Sequence, residues 1–346
     1  MTDIFPLSLL LGTAFIFLNK LLVRLGYKNL RDMPQTLHTK SISRLGGIAI
    51  YASLLSVSLL STSDNYEFLR IMLFCSIPLF LIGLLDDFNI QISPPVRMIV
   101  ALPTALMCYF FLGIEAYSIE IPLLDELFKY KFFSIIFICF ALVGMTNAFN
   151  IIDGMNGLVL LYSITICLSI LFSAELLKTT EIYYTLVAVL FSTLGVFILN
   201  FPLGKIFIGD GGAYILGLII SITVIKIYQI NSLSPWYVLL VLIYPTTEIL
   251  SSIFRRLISK LSTTEPDNYH LHHLIYKRIT KIGIISERVK HSIVTALIFS
   301  FYFPFVFGAN YFSDDHLVLK FMCVIFVVFY FIFYLLLAPK NFRFNL

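Results

Sequence analysis

The sequence predicts an all-α, multi-pass integral membrane protein with about eleven transmembrane helices. Three observations lead there. Hydrophobic residues make up 59% of the 346 and charged residues only 13%, against roughly 45–50% and about 25% in soluble domains; mean hydropathy is +0.93. The apolar stretches are continuous, which excludes a β-barrel, whose strands alternate apolar and polar residues over about ten positions. Finally, one orientation gathers most of the basic residues on a single side, as cytoplasmic loops do.

Taken in order, the apolar segments are 4–23, 45–61, 68–85, 98–113, 132–146, 158–173, 182–199, 213–228, 236–254, 290–307 and 317–338. A crossing needs about 20 mostly apolar residues, so the shorter segments must draw on loop residues, and ten or twelve spans also fit. The start, MTDIFPLSLLLGTAFIF, has no basic leader and no small-residue cleavage site, and is expected to be the first span. Cys75, Cys108, Cys139, Cys167 and Cys323 all fall inside apolar segments, without metal-ligand spacing, and read as small buried hydrophobes. No linker, repeat or low-complexity tract interrupts the chain, so 1–346 is read as one membrane domain. The net charge of +4 is modest, and no nucleic-acid partner is expected.

With the N-terminus outside and the C-terminus cytoplasmic, 18 of the 24 Lys and Arg residues lie on the inner side, the bias expected of cytoplasmic loops. Trp236 and Tyr237, after QINSLSP, stand where an outer interfacial anchor belongs. Outer acids are scattered through short connectors. Inner acids fall in compact motifs, LLDDFN, NAFNIIDGMNG, FIGDGGAY and TTEPDNYHLHH, each following an odd-numbered span.

These motifs carry the chemistry. Asp86 and Asp87 end a span, where a carboxylate at membrane depth is costly and tends to be functional; two adjacent acids repel unless a cation lies between them. Mg²⁺ binds through one or two carboxylates plus substrate phosphates, and Arg97 is placed to hold a phosphate across the same loop. Asp210 sits among Gly209, Gly211 and Gly212 at a helix start, where backbone N–H groups favour an anion; tight helix packing explains the glycines equally well, but not Asp210. Phe207 offers a ring face to a base. Asn147, Asn150, Asp153 and Asn156 form a polar loop whose amides suit sugar hydroxyls, a uracil edge or a metal's water shell. His270, His272 and His273 favour phosphate contact over zinc, since no Cys lies near to complete a tetrahedral set. His38, Lys40 and Arg44, before Gly46 and Gly47, read as a further phosphate or headgroup clamp.

In order, the motifs are D-x-P with His and R-x-G-G (Asp32, Pro34, His38, Arg44, Gly46, Gly47), the D-D pair, N-A-x-N-x-x-D-G-x-N-G, F-x-G-D and H-x-H-H. Over about Asp32 to His273 the chain resembles the polyprenyl-phosphate N-acetylhexosamine-1-phosphate transferases (glycosyltransferase family 4), and its H-L-H-H form is closer to the WecA-like branch than to MraY. The resemblance implies an Mg²⁺-dependent enzyme, with Mn²⁺ as a substitute, that moves N-acetylhexosamine-1-phosphate from a UDP-N-acetylhexosamine to undecaprenyl phosphate and releases UMP. That is the first lipid-linked step of a cell-surface polysaccharide. It also implies Asp210 and Asn150 as metal ligands and Phe207 as the uracil-stacking ring. Asn147 and Asp153 would line the nucleotide pocket, Asp86 and Asp87 would activate the acceptor or hold metal, and the H-x-H-H loop would contact pyrophosphate and sugar. Asn156 stands where many members have a second Asp, and Glu248 where Asp is frequent. A homodimer in the lipid bilayer is compatible with all of this. The rival class is a multi-pass transporter or lipid flippase, which places polar groups at mid-membrane in broken spans, often in repeated halves.

Overall fold

In hydrocarbon a backbone must satisfy its own hydrogen bonds, so a chain this apolar folds as helices. The computed structural model describes residues 42–61, 63–88, 90–173, 177, 179–202, 204–259, 269–281, 283 and 285–338, with six further positions between 7 and 17. The expected first span, His38, Lys40 and the D-x-P motif lie mostly or wholly outside these residues. Among those described there is no β-strand, only an isolated parallel bridge between Ser43 and Ile206. The helices are α1 (Gly46–Leu60), α2 (Glu67–Asp87), α3 (Pro94–Leu112), α4 (Lys131–Ile152), α5 (Leu158–Phe172), α6 (Thr180–Asn200), α7 (Gly209–Asn231), α8 (Pro235–Val241), α9 (Ile243–Ser259), α10 (Leu271–Thr280), α11 (Glu287–Tyr311) and α12 (His316–Leu337).

Seven of these are long and apolar enough to cross a membrane, or eight if α8 and α9 count as one bent span. α1 and α5 are apolar but shorter. The helices outrun the apolar segments at their polar ends: the stretch read as 213–228 is helical from Gly209 to Asn231, and that read as 132–146 extends to Ile152. Asn147 and Asn150, expected in a loop, therefore stand on the last turns of α4.

Segment 236–254, expected as a single crossing, is broken at Leu242, where α8 and α9 meet at 84°. Pro245 accounts for the break. It has no N–H to give the Val241 carbonyl and its ring crowds that position. The freed carbonyl accepts the Tyr162 hydroxyl from α5 at 2.7 Å. Beyond the break α9 is two-sided: Leu250, Ile253, Phe254 and Leu257 are exposed, whereas Thr247, Glu248, Ser251 and Arg255 are buried.

α7 is the central helix, with 83% of its apolar stretch buried against 28% for α12; it packs on α1, α2 and α4. A seam of glycine permits this. A Cβ on Gly47 would lie 2.4 Å from the Gly212 backbone nitrogen, and one on Gly83 would lie 2.5 Å from the Gly211 Cα. Small residues letting helix backbones touch is a common membrane device, and here it draws the start of α1 and the end of α2 onto the start of α7. The opposite end is tied separately, with Glu120 accepting from Ser234 at 2.6 Å and pairing with His316 and Lys320 at 2.8 and 2.7 Å.

Candidate active site

The D-D pair, two adjacent residues at the end of α2, splits in two directions. Neighbouring helix positions diverge by about 100°, so Asp87 faces α7 and Asp86 faces α3. Asp87 Oδ1 accepts the Asp210 backbone N–H at 2.8 Å, and Oδ2 accepts that of Gly211 at 3.0 Å. The anion expected at this helix N-terminus is thus Asp87 itself, and the glycines serve both close packing and this cap. Gly209 has φ +73°, and a Cβ there would meet Asp87 Oδ2 at 2.4 Å.

Arg44 reaches the same point from the other side. Phe207 and Ile208 hold its segment in place: the Phe207 N–H donates to Ser43 O at 2.7 Å, and the Gly46 and Gly47 N–H groups donate to Phe207 O and Ile208 O at 2.9 and 2.8 Å. Arg44 Nη2 then donates to Asp210 Oδ1 at 2.6 Å, with Nε 3.4 Å from Asp87 Oδ1. Burial alone would lower the Arg44 guanidinium, but the carboxylates of Asp210, Asp87, Asp153 and Asp86 outweigh it and hold it above its usual value.

Arg97 closes the third side. Its Nη2 lies 2.8 Å from Asp86 Oδ2, and its Nη1 donates to Asp210 Oδ2 at 3.5 Å and to the Tyr214 hydroxyl at 3.4 Å. Its Nε and Nη2 also donate to the Ile92 carbonyl, which fixes the fork. Asp210 therefore stands between two guanidiniums, with the side chains of Asp86 and Asn150 within hydrogen-bonding reach. Asn147, one turn back, instead donates to its own helix at Val143 O, 2.7 Å away. Tyr214 was not singled out from sequence, although its position four residues after Asp210 puts it on the same helix face.

Asp153 follows α4 directly. Desolvation pushes its carboxyl well above the usual range; Arg44 opposes this, while Asp210 and Asp87 add to it. Next to it, a Cβ on Gly154 would come within 2.5 Å of His272 Nε2 and 3.1 Å of His273 Nε2. The 153–154 turn thus joins the carboxylate group to the H-L-H-H motif. His272 is fully buried, and its imidazole is held well below its ordinary pKa by burial, with His273, His270, Arg255 and His291 adding repulsion. Asn156 is buried and its backbone carbonyl accepts from Thr295 Oγ1 at 2.8 Å. Phe207 is partly exposed, with its backbone N–H and carbonyl bound to Ser43 and Gly46.

Among the described residues no three His, Cys, Asp or Glu side chains form a ready metal cage. A hard cation does not need one. Three carboxylates (Asp86, Asp87, Asp210) face two guanidiniums (Arg44, Arg97), and Asp153 adds a fourth acid that a divalent ion would help to ionise, so such an ion would balance the negative excess. Carboxylate and amide oxygens, with room for water and phosphate, are the donor set of Mg²⁺. The residues fit that ion.

Residues 69–228 match the sequence profile of glycosyl transferase family 4. The chain is 32% identical over 273 residues to an undecaprenyl-phosphate alpha-N-acetylglucosaminyl 1-phosphate transferase of Thermotoga maritima, covering 78% of this chain and 81% of that protein. The chain belongs to glycosyl transferase family 4. A probable undecaprenyl-phosphate N-acetylglucosaminyl 1-phosphate transferase of Bacillus subtilis is 30% identical over 250 residues, 70% of this chain and 68% of that one. A phospho-N-acetylmuramoyl-pentapeptide-transferase of Bacillus licheniformis is 28% identical over 233 residues, 62% of this chain and 69% of that one. The family profile runs from α2 to α7 and so takes in Asp86, Asp87, Arg97, Asn147, Asn150, Asp153, Phe207 and Asp210. Arg44 and H-L-H-H lie outside the matched stretch, yet the fold brings both to the same end of the bundle.

Proposed function

We propose that this family 4 protein transfers N-acetylhexosamine-1-phosphate, with N-acetylglucosamine the leading sugar, from its UDP derivative to undecaprenyl phosphate. The observation that carries the reading is Asp210 held between Arg44 and Arg97, beside Asp86 and Asn150, in a chain whose relatives are named for that transfer. An oxygen of the lipid phosphate attacks the β-phosphorus, the bond from that phosphorus to the bridging oxygen breaks, and UMP departs with the bridging oxygen. A phosphate monoester has its second pKa near 6, so much of the acceptor is already a dianion at neutral pH and needs little help from a base.

The residues then divide the work. Mg²⁺, or Mn²⁺ in its place, held by Asp210, Asn150 and Asp86, would neutralise the pyrophosphate when bound. Arg97 and Arg44 are forks suited to phosphate oxygens, and a cation held at Asp210 would leave the N–H groups now paired with that carboxylate to donate to phosphate. Asp87 keeps the start of α7 in place. Asp153 and Asn147 line the nucleotide side, with Phe207 against uracil, and the H-L-H-H motif meets the pyrophosphate and sugar. The site end of the bundle faces the cytoplasm, where UDP-sugars are made, with eleven spans and the N-terminus outside the inner membrane.

The test is incubation of membranes containing the protein with labelled UDP-GlcNAc, undecaprenyl phosphate and Mg²⁺. A lipid-extractable labelled product and stoichiometric UMP are expected. Label taken into vesicles without lipid product would favour transport, and a screen of UDP-GlcNAc, UDP-GalNAc and deoxy-aminosugar donors identifies the sugar.

A further inference from the structure

Glu248 lies on the buried polar face of α9 and is itself fully buried. A buried carboxylate is costly unless it is paired and hydrogen-bonded. Both of its oxygens are engaged by the H-L-H-H motif, more than twenty residues on. Oε1 accepts the Leu271 backbone N–H at 3.1 Å, and Oε2 lies 3.0 Å from His270 Nδ1. The first contact caps α10 from outside, as Asp87 caps α7. The second decides how the His270 ring lies. With Nδ1 turned to the carboxylate, Nε2 faces the other way, an arrangement that fixes an imidazole's orientation and tautomer.

The rest of the motif stacks onto that ring. The His270 and His272 rings are nearly parallel, 4° apart in plane with centroids 5.6 Å apart, and the His273 ring lies 4.3 Å from that of His272. Neither ring nitrogen of buried His272 has a hydrogen-bond partner among the described residues, and its Nε2 lies against Gly154 beside Asp153. A buried imidazole without partners is costly and points to a ligand at this junction.

We propose that Glu248 is a positioning residue for donor binding: through the Leu271 amide and the His270 ring, it sets the three imidazoles of H-L-H-H against the 153–154 turn, where the phosphate end of the nucleotide sugar is held. This rests on the transfer reading above. Glu248 touches no substrate. Loss of its charge displaces the imidazoles from the donor and leaves Asp86 and Arg97 as they are.

The full-length enzyme in detergent tests it. Glu248→Gln, His270→Gln and the double variant are compared with the parent for kcat, for KM towards the UDP-sugar and towards undecaprenyl phosphate, and for UDP binding without turnover. Glu248→Gln is expected to weaken UDP binding and to raise the donor KM about tenfold, with the acceptor KM within about twofold. The double variant should be little worse than His270→Gln alone, since the two act as one unit. Should Glu248→Gln fail to fold, Glu248→Asp takes its place, keeping the charge on a shorter arm, with a smaller loss confined to the donor constants. Unchanged constants per folded molecule with a lowered unfolding temperature, equal effects on both substrates, or additive losses in the double variant would each overturn the proposal. A parent enzyme inactive with every UDP-hexosamine would sink the transfer reading instead, a result distinguishable from these.

Discussion

Asp87 accepts the backbone N–H of Asp210 at 2.8 Å, and that of Gly211 with its other oxygen, so one acid of the D-D pair caps the helix that presents the central acid of the site. Asp86, one residue earlier, meets Arg97 instead. The two carboxylates therefore differ in function. Asp87→Asn keeps at most one acceptor for two N–H groups and turns a donor towards them, which should cost about 2 kcal/mol of stability along with most activity. Asp86→Asn should lose activity with an unfolding midpoint near the parent's. Thermal unfolding in detergent beside the transfer assay separates them; equal destabilisation by both would refute the division.

The break between α8 and α9 gives a second prediction. Tyr162→Phe leaves the Val241 carbonyl without its donor and should destabilise by about 2 kcal/mol. Pro245→Ala returns an N–H to that carbonyl, so the same Tyr162→Phe change made in its background should cost less, with a coupling of about 1 kcal/mol. A double-mutant cycle in detergent measures it. Strict additivity would mean that the hydroxyl and the proline are unrelated.

The imidazole group predicts acid sensitivity. In the unfolded chain His272 takes a proton below its usual value near 6.5, whereas in the fold it stays neutral, its pKa depressed by burial and by His273, His270, Arg255 and His291. Its stabilising contribution is therefore fully present above that value and falls as pH drops towards the depressed folded one, at up to about 1.4 kcal/mol per pH unit. His272→Asn, which does not titrate, should show a smaller fall in unfolding midpoint between about pH 7.5 and about pH 5.5. Parallel curves for the two proteins would count against it.

Asp153 should make any gain in stability from Mg²⁺ depend on pH. Its carboxyl is raised by desolvation, so the folded state holds its proton more tightly than the unfolded chain does, and its contribution to stability is lost as pH rises towards that raised value. A divalent cation favours the ionised form. Mg²⁺ should therefore raise the unfolding midpoint more as pH increases, and chelation should remove both that gain and the transfer activity. In Asp153→Asn the pH dependence of the Mg²⁺ effect should shrink.

Much of the site was legible because its residues fall in short motifs that follow alternate spans, and alternate helix ends share a membrane face. The meeting of Arg44 with Asp210, 166 positions apart, is of that kind. The different tasks of Asp86 and Asp87 were hidden, since adjacent identical residues differ only in the helix face they occupy. Pro245 was visible, but the apolar run around it outweighed its breaking effect, and the partner that makes the break tolerable, Tyr162, is 79 positions away. Tyr214 drew no notice, and Glu248 only as a substituted family position, until their partners were in view.

The capping of α7 by Asp87 has a consequence for how the bundle is assembled. In lipid, one apolar side chain against another has little preference over lipid itself, so greasy contacts alone do not say how far one helix should slide along its neighbour. A carboxylate gripping two successive amides does. Displacing α2 by a single residue, about 1.5 Å along its axis, would release both bonds and leave a buried charge without those partners, so the register of the two helices is written in the same atoms that shape the site.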